Sequence, residues 1–425
     1  MLSRLKNSTL ARNTLWMVLG QGSRILIQAV YFIIIARCLG AEGYGTFVGV
    51  ASLVGIFAPF STWGTGNLLV KHVSRDKGVF PQYWGNALAM TVISGVLLTL
   101  LTGIVAQFTL PVFVSPLLIL AISVSDLIFY RLLDVSSQAF QAFERLKRTA
   151  QLQVFLSLAR LVGAAALALF SDSRSPAEWA VIYLCTTVIG AAVGVWLVNR
   201  ELGTPRVEWR KLFAELREGF YFSVSSSSVA IYNDTSKILL VNLSTLEASG
   251  IFAAAGRIIE VSLSPIRALM GAAYAKFFQD GRDGIAGSLR LAKRLLSVSV
   301  VYSVIAGICI YAAAPVLPWL LGEDYSNAVD AVRFLAVVPL LKSMYSFAQD
   351  ALTGAGYQGW RSGIQVIVAV INPLTNLLLI PLYSWRGAAL AGMASDLLLS
   401  LGYWLAIWYF YRRDNLLKVK AHIAS

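Results

Sequence analysis

The loops of this 425-residue chain alternate between basic and nearly free of Lys and Arg, and they separate about twelve long apolar stretches. About 24 of the 35 Lys and Arg fall in one set of loops, about 3 in the other, and about 8 inside the apolar stretches. Asp and Glu divide more evenly, at about 9 and 7 on the two sides. Lys and Arg orient membrane helices whereas Asp and Glu contribute little, so this asymmetry is a topology with the basic loops and both termini in the cytoplasm. The net charge of +13 needs no nucleic acid to explain it.

Composition agrees: 57% of residues are hydrophobic and 13% charged, against about 25% charged in a soluble chain. The fold class is therefore an all-α integral membrane protein. Its spans are expected near 14–36, 43–65, 82–107, 115–140, 149–170, 178–199, 219–242, 247–273, 290–313, 328–350, 360–382 and 386–410. The longest connection, 200–218, is polar and is read as a cytoplasmic linker between two six-helix lobes, 1–199 and 219–425. A shift of about 205 positions lays Glu42 on Glu247, Gly45 on Gly250, Phe47 on Phe252 and Lys71 on Lys276. An even number of spans in each half makes this a parallel pseudo-repeat, whose halves are expected to enclose a central cavity.

Fourteen ionisable residues lie where lipid should be: Arg24, Arg131, Arg160, Lys237, Arg257, Arg267, Arg333 and Lys342, with Asp126, Asp134, Asp234, Glu260, Asp350 and Asp396. Each basic one costs roughly 2.5–3.5 kcal/mol at a helix centre, so they must face protein or a watery cavity. Their spacing supports this. Gln21, Arg24 and Gln28 share a face of helix 1; Asp126, Tyr130, Asp134 and Gln138 share one on helix 4; Arg257, Glu260, Ser264 and Arg267 share one on helix 8. Helix 7 carries Ser225 to Ser228 with Asn233, Asp234 and Lys237, and helix 10 carries Lys342, Ser346 and Gln349. Asp234 with Lys237, Arg131 with Asp134 and Arg257 with Glu260 stand three residues apart and could be local ion pairs. Arg24, Arg160 and Arg267 have no obvious acidic neighbour in sequence, and the intramembrane charge is positive overall. Such a cavity suits an anionic head group, because guanidinium donates bidentately to phosphate and ammonium is a compact charge. The candidate phosphate-binding residues are Arg24, Arg257, Arg267, Lys237, Arg333 and Lys342. Pro59, Pro265, Pro339 and Pro373 fall inside spans and are candidate bends.

Other signals are weaker. Gly354, Gly356 and Gly359 spell GxGxxG, but between two apolar helices, so a turn is expected. His72 and His422 read as solvated, and Cys38, Cys185 and Cys309 as structural. No Walker A loop and no metal or cofactor motif is present. The N-terminal segment lacks a small-residue cleavage site, so helix 1 is expected to stay as a signal anchor.

The stretch Ala36-Arg37-Cys38-Leu39-Gly40-Ala41-Glu42-Gly43-Tyr44-Gly45-Thr46-Phe47, joining spans 1 and 2, resembles the AR-x-LG-x-EGYG motif of Wzx-type polysaccharide flippases. These belong to the multidrug/oligosaccharidyl-lipid/polysaccharide exporter superfamily. The resemblance implies a flippase of the bacterial inner membrane rather than an enzyme. Its substrate would be an undecaprenyl-pyrophosphate-linked oligosaccharide repeat unit, moved to the periplasmic leaflet for O-antigen or exopolysaccharide synthesis. It also raises polysaccharide polymerase and chain-length machinery as partners, beside membrane lipids. Peptidoglycan-precursor flippases with this fold carry cavity arginines on helices 1 and 8, where Arg24, Arg257 and Arg267 stand here. They usually have two further helices, so chain length argues against that branch.

Two other readings compete. A multidrug or cation antiporter of the same superfamily would favour an acidic cavity, and a lipid-linked-sugar polymerase or glycosyltransferase would need a sizeable periplasmic loop. Asp134, Asp234 and Glu260 are candidates for carrying a coupling proton or sodium, although ion pairing accounts for them equally well.

Overall fold

The computed structural model describes residues 9–212, 220, 223, 227, 234–282 and 284–424, with the side chains of 9–21, 272, 275, 278 and 415–424 outside the description. Among the described residues the chain is built of helices without strands, as a membrane span requires when its backbone must satisfy itself. It divides into two compact units, Met1–Asn242 and Leu243–Ser425.

The first unit begins with α1 (Thr9–Phe57), 49 residues that would reach about 74 Å if straight, more than twice a bilayer core. Gly40 breaks it with φ 66 and ψ 179, a backbone conformation open to glycine, and so separates the two spans expected near 14–36 and 43–65. A 3-10 turn at Ala58–Phe60 and a left-handed Gly64 lead into α2 (Thr65–Val73). Then come α3 (Phe80–Thr109), α4 (Pro116–Val124), a π-helical turn at Ser125–Phe129, α5 (Tyr130–Ala142), α6 (Leu146–Phe170) and α7 (Pro176–Glu201). Residues 234–243 are helical, while most of the seventh expected span lies outside the described residues.

The EGYG stretch has a packing role. Tyr44 and Phe47 are buried, and the Phe47 ring meets Trp179 and Tyr183 of α7 edge-on at 6.3 and 5.6 Å. Gly43 leaves no slack against Pro176, which a Cβ would approach to 3.2 Å. The start of the long connection is also held down. Arg206 donates its N–H to Pro81 O at 2.8 Å, Glu208 donates to Asn86 Oδ1 at 2.8 Å, and the Lys211 ammonium sits 4.4 Å from the Tyr83 ring centre. Glu201 takes both Arg145 and Arg148. Residues 201–212 are thus strapped across the first turns of α3. His72, expected to be solvated, instead stacks on Tyr83 at 4.8 Å, its neighbour in this packed end.

The second unit comprises α8 (Leu246–Ser262), α9 (Ser264–Asp280), α10 (Ile285–Ala313), α11 (Leu317–Leu321), α12 (Ala328–Leu335), α13 (Val338–Gly354), α14 (Gln358–Tyr383) and α15 (Trp385–Ala424). The Thr245 hydroxyl caps α8 by accepting from Ala248 N at 3.0 Å. The glycines of the GxGxxG sequence make the expected turn, Gly354 ending α13 and Gly356 taking φ 86. Pro265 and Pro339 stand in the first turns of α9 and α13, where a missing N–H costs nothing, and Pro59 lies in the 3-10 turn. They start segments rather than bend continuous helices, whereas Pro373 lies within α14.

Nine helical runs among the described residues are long and apolar enough to cross a membrane, by length and composition. The first, Gly22–Phe60, holds two of the expected spans, and the seventh span falls largely on undescribed residues. The eighth is split by the break at Leu263 into two 17-residue helices that carry Arg257, Glu260 and Arg267. Large apolar side chains such as Leu97, Phe108, Ile308 and Leu378 are exposed along the runs, as a lipid-facing surface requires.

Helix crossings in such a bundle depend on small residues. A Cβ on Gly387 of α15 would stand 2.2 Å from the Leu379 carbonyl oxygen of α14, whereas one on Gly392 would meet nothing within 4 Å among the described residues. Gly387→Ala is therefore expected to cost about 1–3 kcal/mol through overpacking, and Gly392→Ala to be close to neutral. Thermal melts of the two purified variants against the parent check the contrast.

Candidate functional site

The first unit contains a polar cleft, with about 370 Å³ of empty space that includes open solvent, lined by side chains of α1, α5 and α6. From α1 come Arg24 and Gln28, one helical turn apart as expected; Gln21, placed on the same face, has its side chain outside the described set. From α5 come Tyr130, Leu133, Asp134 and Ser137. Gln153, Leu156, Ser157 and Arg160 belong to α6, and the polar three recur at i, i+4 and i+7. That face follows the same spacing as the polar faces of helices 1, 4 and 8.

Arg24 is half-buried, and its Nη1 donates to Gln153 Oε1 at 3.4 Å, a long hydrogen bond. Among the described residues it makes no ion pair. Arg131 and Asp134 pair at 3.5 Å as their spacing suggests. Lys237 and Asp234 do so more tightly, at 2.7 Å, so that Lys237 is neutralised by its own helix. This differs from the expectation for Arg160, which has no obvious acidic neighbour in sequence. The π turn places Asp126 so that one of its oxygens lies 3.7 Å from Arg160 Nη2. Sequence distance hid a pair that joins two elements. Around Arg160, Asp126, Arg131 and Asp134, together with Arg24, three guanidiniums face two carboxylates.

In the second unit the expected Arg257–Glu260 pair is replaced by another arrangement. The break at Leu263 turns the chain so that Arg267, seven residues beyond Glu260, folds back to ion-pair with its carboxylate and donate to its carbonyl oxygen at 2.8 Å. Lys342 of α13 approaches the other Glu260 oxygen at 3.7 Å. Glu260 is therefore shared by two cations, which accounts for it without an ion-carrying role. Arg257 is exposed on α8. Arg333 of α12 places its guanidinium 5.1 Å from the Tyr311 ring centre. Of the predicted phosphate-binding residues, Arg24 alone lines the first unit's cleft, and Arg267 and Lys342 come together around Glu260. Asp134 lines the cleft, and Asp234 packs close to Gly55 of α1, where an added Cβ would meet it at 3.3 Å.

Asp350 and Asp396, at 3% and 2% exposure, are buried in the second unit rather than open to a polar space. Arg361 is a counter-charge for Asp350 and also donates to Thr353 Oγ1 at 2.9 Å. The Tyr345 hydroxyl bonds to Asp396.

The Asp234–Lys237 pair offers a check on the energetics. Both side chains are more than two-thirds buried, so Lys237→Met leaves a carboxylate without its partner and is expected to cost about 1–3 kcal/mol. The double variant Asp234→Asn/Lys237→Met is expected to recover most of that stability. Melting temperatures of the three proteins in one detergent measure the cycle.

Chemically, the cleft combines guanidinium donors with hydroxyl and amide groups. These suit an anion with oxygen acceptors together with a hydroxyl-rich ligand.

Known proteins share this architecture. The structure described as "Lipid II flippase MurJ, inward closed conformation" superposes with a TM-score of 0.75 at 11% identity, covering 95% of this chain and 89% of its own. An inward-facing multidrug resistance MATE family transporter of the MOP superfamily gives 0.72 at 14% identity, covering 92% and 95%. In sequence, the chain is 22% identical over 424 residues to an Escherichia coli (strain K12) protein named "Putative O-antigen transporter", covering 97% of this chain and 98% of that one. Residues 10–279 match the family profile described as polysaccharide biosynthesis protein, and with well over half of its length inside that match the chain belongs to this family.

Proposed function

We propose that this protein is a flippase that carries an undecaprenyl-pyrophosphate-linked oligosaccharide repeat unit from the cytoplasmic to the periplasmic leaflet for surface polysaccharide synthesis. The movement is alternating access of two six-helix lobes, 1–199 and 219–425, joined through 200–218, with both termini in the cytoplasm of a bacterial inner-membrane protein. The observation that carries the reading is Arg24: a cation without an ion-pair partner among the described residues, in a polar cleft, within a chain of the polysaccharide biosynthesis family. Pyrophosphate supplies the matching charge. Gln28, Gln153, Ser137 and Ser157 offer the hydrogen-bonding capacity a sugar needs, and the lipid tail stays in the bilayer. The name of the Escherichia coli relative supports a glycan cargo, and the MurJ-like fold a lipid-linked one. The protein lowers a barrier without breaking a covalent bond, and membrane lipids and the polymerase and chain-length machinery are its proposed partners.

The test is the amount and sidedness of lipid-linked repeat unit in cells lacking the protein, with and without a plasmid copy. Accumulation on the cytoplasmic face, reversed by the plasmid, is expected. Normal arrival in the periplasm with failed polymerisation would replace the flippase by an enzyme; no glycan phenotype would point to a drug exporter.

A further inference from the structure

Arg160 differs from Lys237, a tightly paired cation of the first unit. Its Nη2 donates to Thr187 Oγ1 at 3.3 Å and stands 3.7 Å from Asp126 Oδ1, outside hydrogen-bonding distance. By contrast, Lys237 grips Asp234 at 2.7 Å. Asp126 has its acceptors taken by neutral donors: the Tyr183 hydroxyl lies 3.0 and 3.3 Å from its two oxygens, and the Ser125 hydroxyl 3.3 Å from Oδ1. The guanidinium is steadied instead by the Tyr183 ring, whose centre lies 4.0 Å from its central carbon. Among the described residues, one of its five N–H donors is bonded and the buried Nε has no partner. Arg160 is thus fixed in place with most of its donors unspent, and it lines the cleft that Arg24 enters from another helix.

We propose that Arg160 is the second anion-binding cation of this cleft and that, with Arg24, it makes the site select a diphosphate-linked lipid over a monophosphate-linked one. This rests on the reading of the protein as a lipid-linked glycan flippase. A single guanidinium satisfies one phosphate bidentately; two guanidiniums on separate helices match two phosphate groups joined in one ligand. Asp134 lines the same cleft and repels anions, but Arg131 offsets it at 3.5 Å. Asp126 and Tyr183 are positioning residues: they hold Arg160 without consuming its donors.

The experiment uses the purified full chain in nanodiscs and compares binding of geranyl diphosphate with geranyl monophosphate. The parent is expected to prefer the diphosphate by about 10-fold or more, the worth of a charge-assisted contact. Arg160→Gln/Asp126→Asn removes both charges together and leaves no lone buried carboxylate. It is expected to reduce the preference to about 2-fold, the diphosphate losing more than the monophosphate. Arg24→Gln is expected to weaken both ligands. If the double variant melts like the parent and keeps its preference, or if both ligands weaken equally in it, Arg160 has no selective role, while the flippase reading stands on Arg24. If neither variant changes the binding of either ligand, the phosphate cleft itself is wrong and both readings fall. Should the double variant not fold, Arg160→Lys, which keeps the charge and removes the fork, gives the same arms: loss of preference supports the proposal and full retention overturns it.

Discussion

Arg24→Ala is expected to lower the proposed export of a lipid-linked repeat unit by about 10- to 100-fold, the loss of one charged hydrogen-bonding group from the proposed anion site. Protein level should hold, because the side chain is half-buried and its one protein hydrogen bond, to Gln153 at 3.4 Å, is long. Among the described residues, removing it breaks no ion pair and leaves no opposite charge unpartnered. Arg24→Lys should retain more activity than alanine, since the charge survives while the planar fork is lost. Gln153→Ala is the companion variant: if Arg24 acts only through that hydrogen bond, the two alanine variants will behave alike. Surface glycan and cytoplasmic-face precursor, measured at matched protein level, separate these outcomes. Wild-type export in both Arg24 variants would remove it from the site.

Gly85→Val should damage the protein itself more than any other substitution considered. A Cβ there would stand 2.4 to 2.8 Å from the backbone C, O and N of Arg206, and backbone cannot swing aside as a side-chain tip can. The substitution forces residues 201–212 off α3, and with them the two Asn86 bonds to Glu208 and the Arg206 bond to Pro81. About 1–3 kcal/mol of overpacking adds to about 1–3 kcal/mol for each buried polar group left unpaired. Loss of folded protein is the expected result, read as recovery of a monodisperse peak after detergent extraction. Gly103→Val, on the same helix but with nothing within 4 Å among the described residues, should be recovered like the parent.

The membrane class and most of the span positions were legible because they rest on composition summed over tens of residues. The break inside α1 was foreshadowed by the loop placed between spans 1 and 2, and Gly40 supplies it. Ion pairs three residues apart, Arg131–Asp134 and Asp234–Lys237, could also be read from the chain. What could not be read was whatever depends on a change of direction. Glu260 meets Arg267 rather than Arg257 because a helix stops at Leu263, and Arg160 meets Asp126 because a π turn shifts the register of one helix against another. The polar face of α6 differs in kind: Gln153, Ser157 and Arg160 have the right period, but a single charge among many apolar residues is a weaker signal than the paired charges of helices 4 and 8.

The last helix has a mechanical consequence. α15 runs unbroken for 40 residues, about 60 Å, roughly twice the thickness of the hydrocarbon core. Some 30 Å of it must therefore lie beyond the apolar layer as a stiff lever arm. A tilt of about 10° in this helix would sweep its far end through about 5 Å. A label near its C-terminal end would thus magnify a rotation that is small within the membrane.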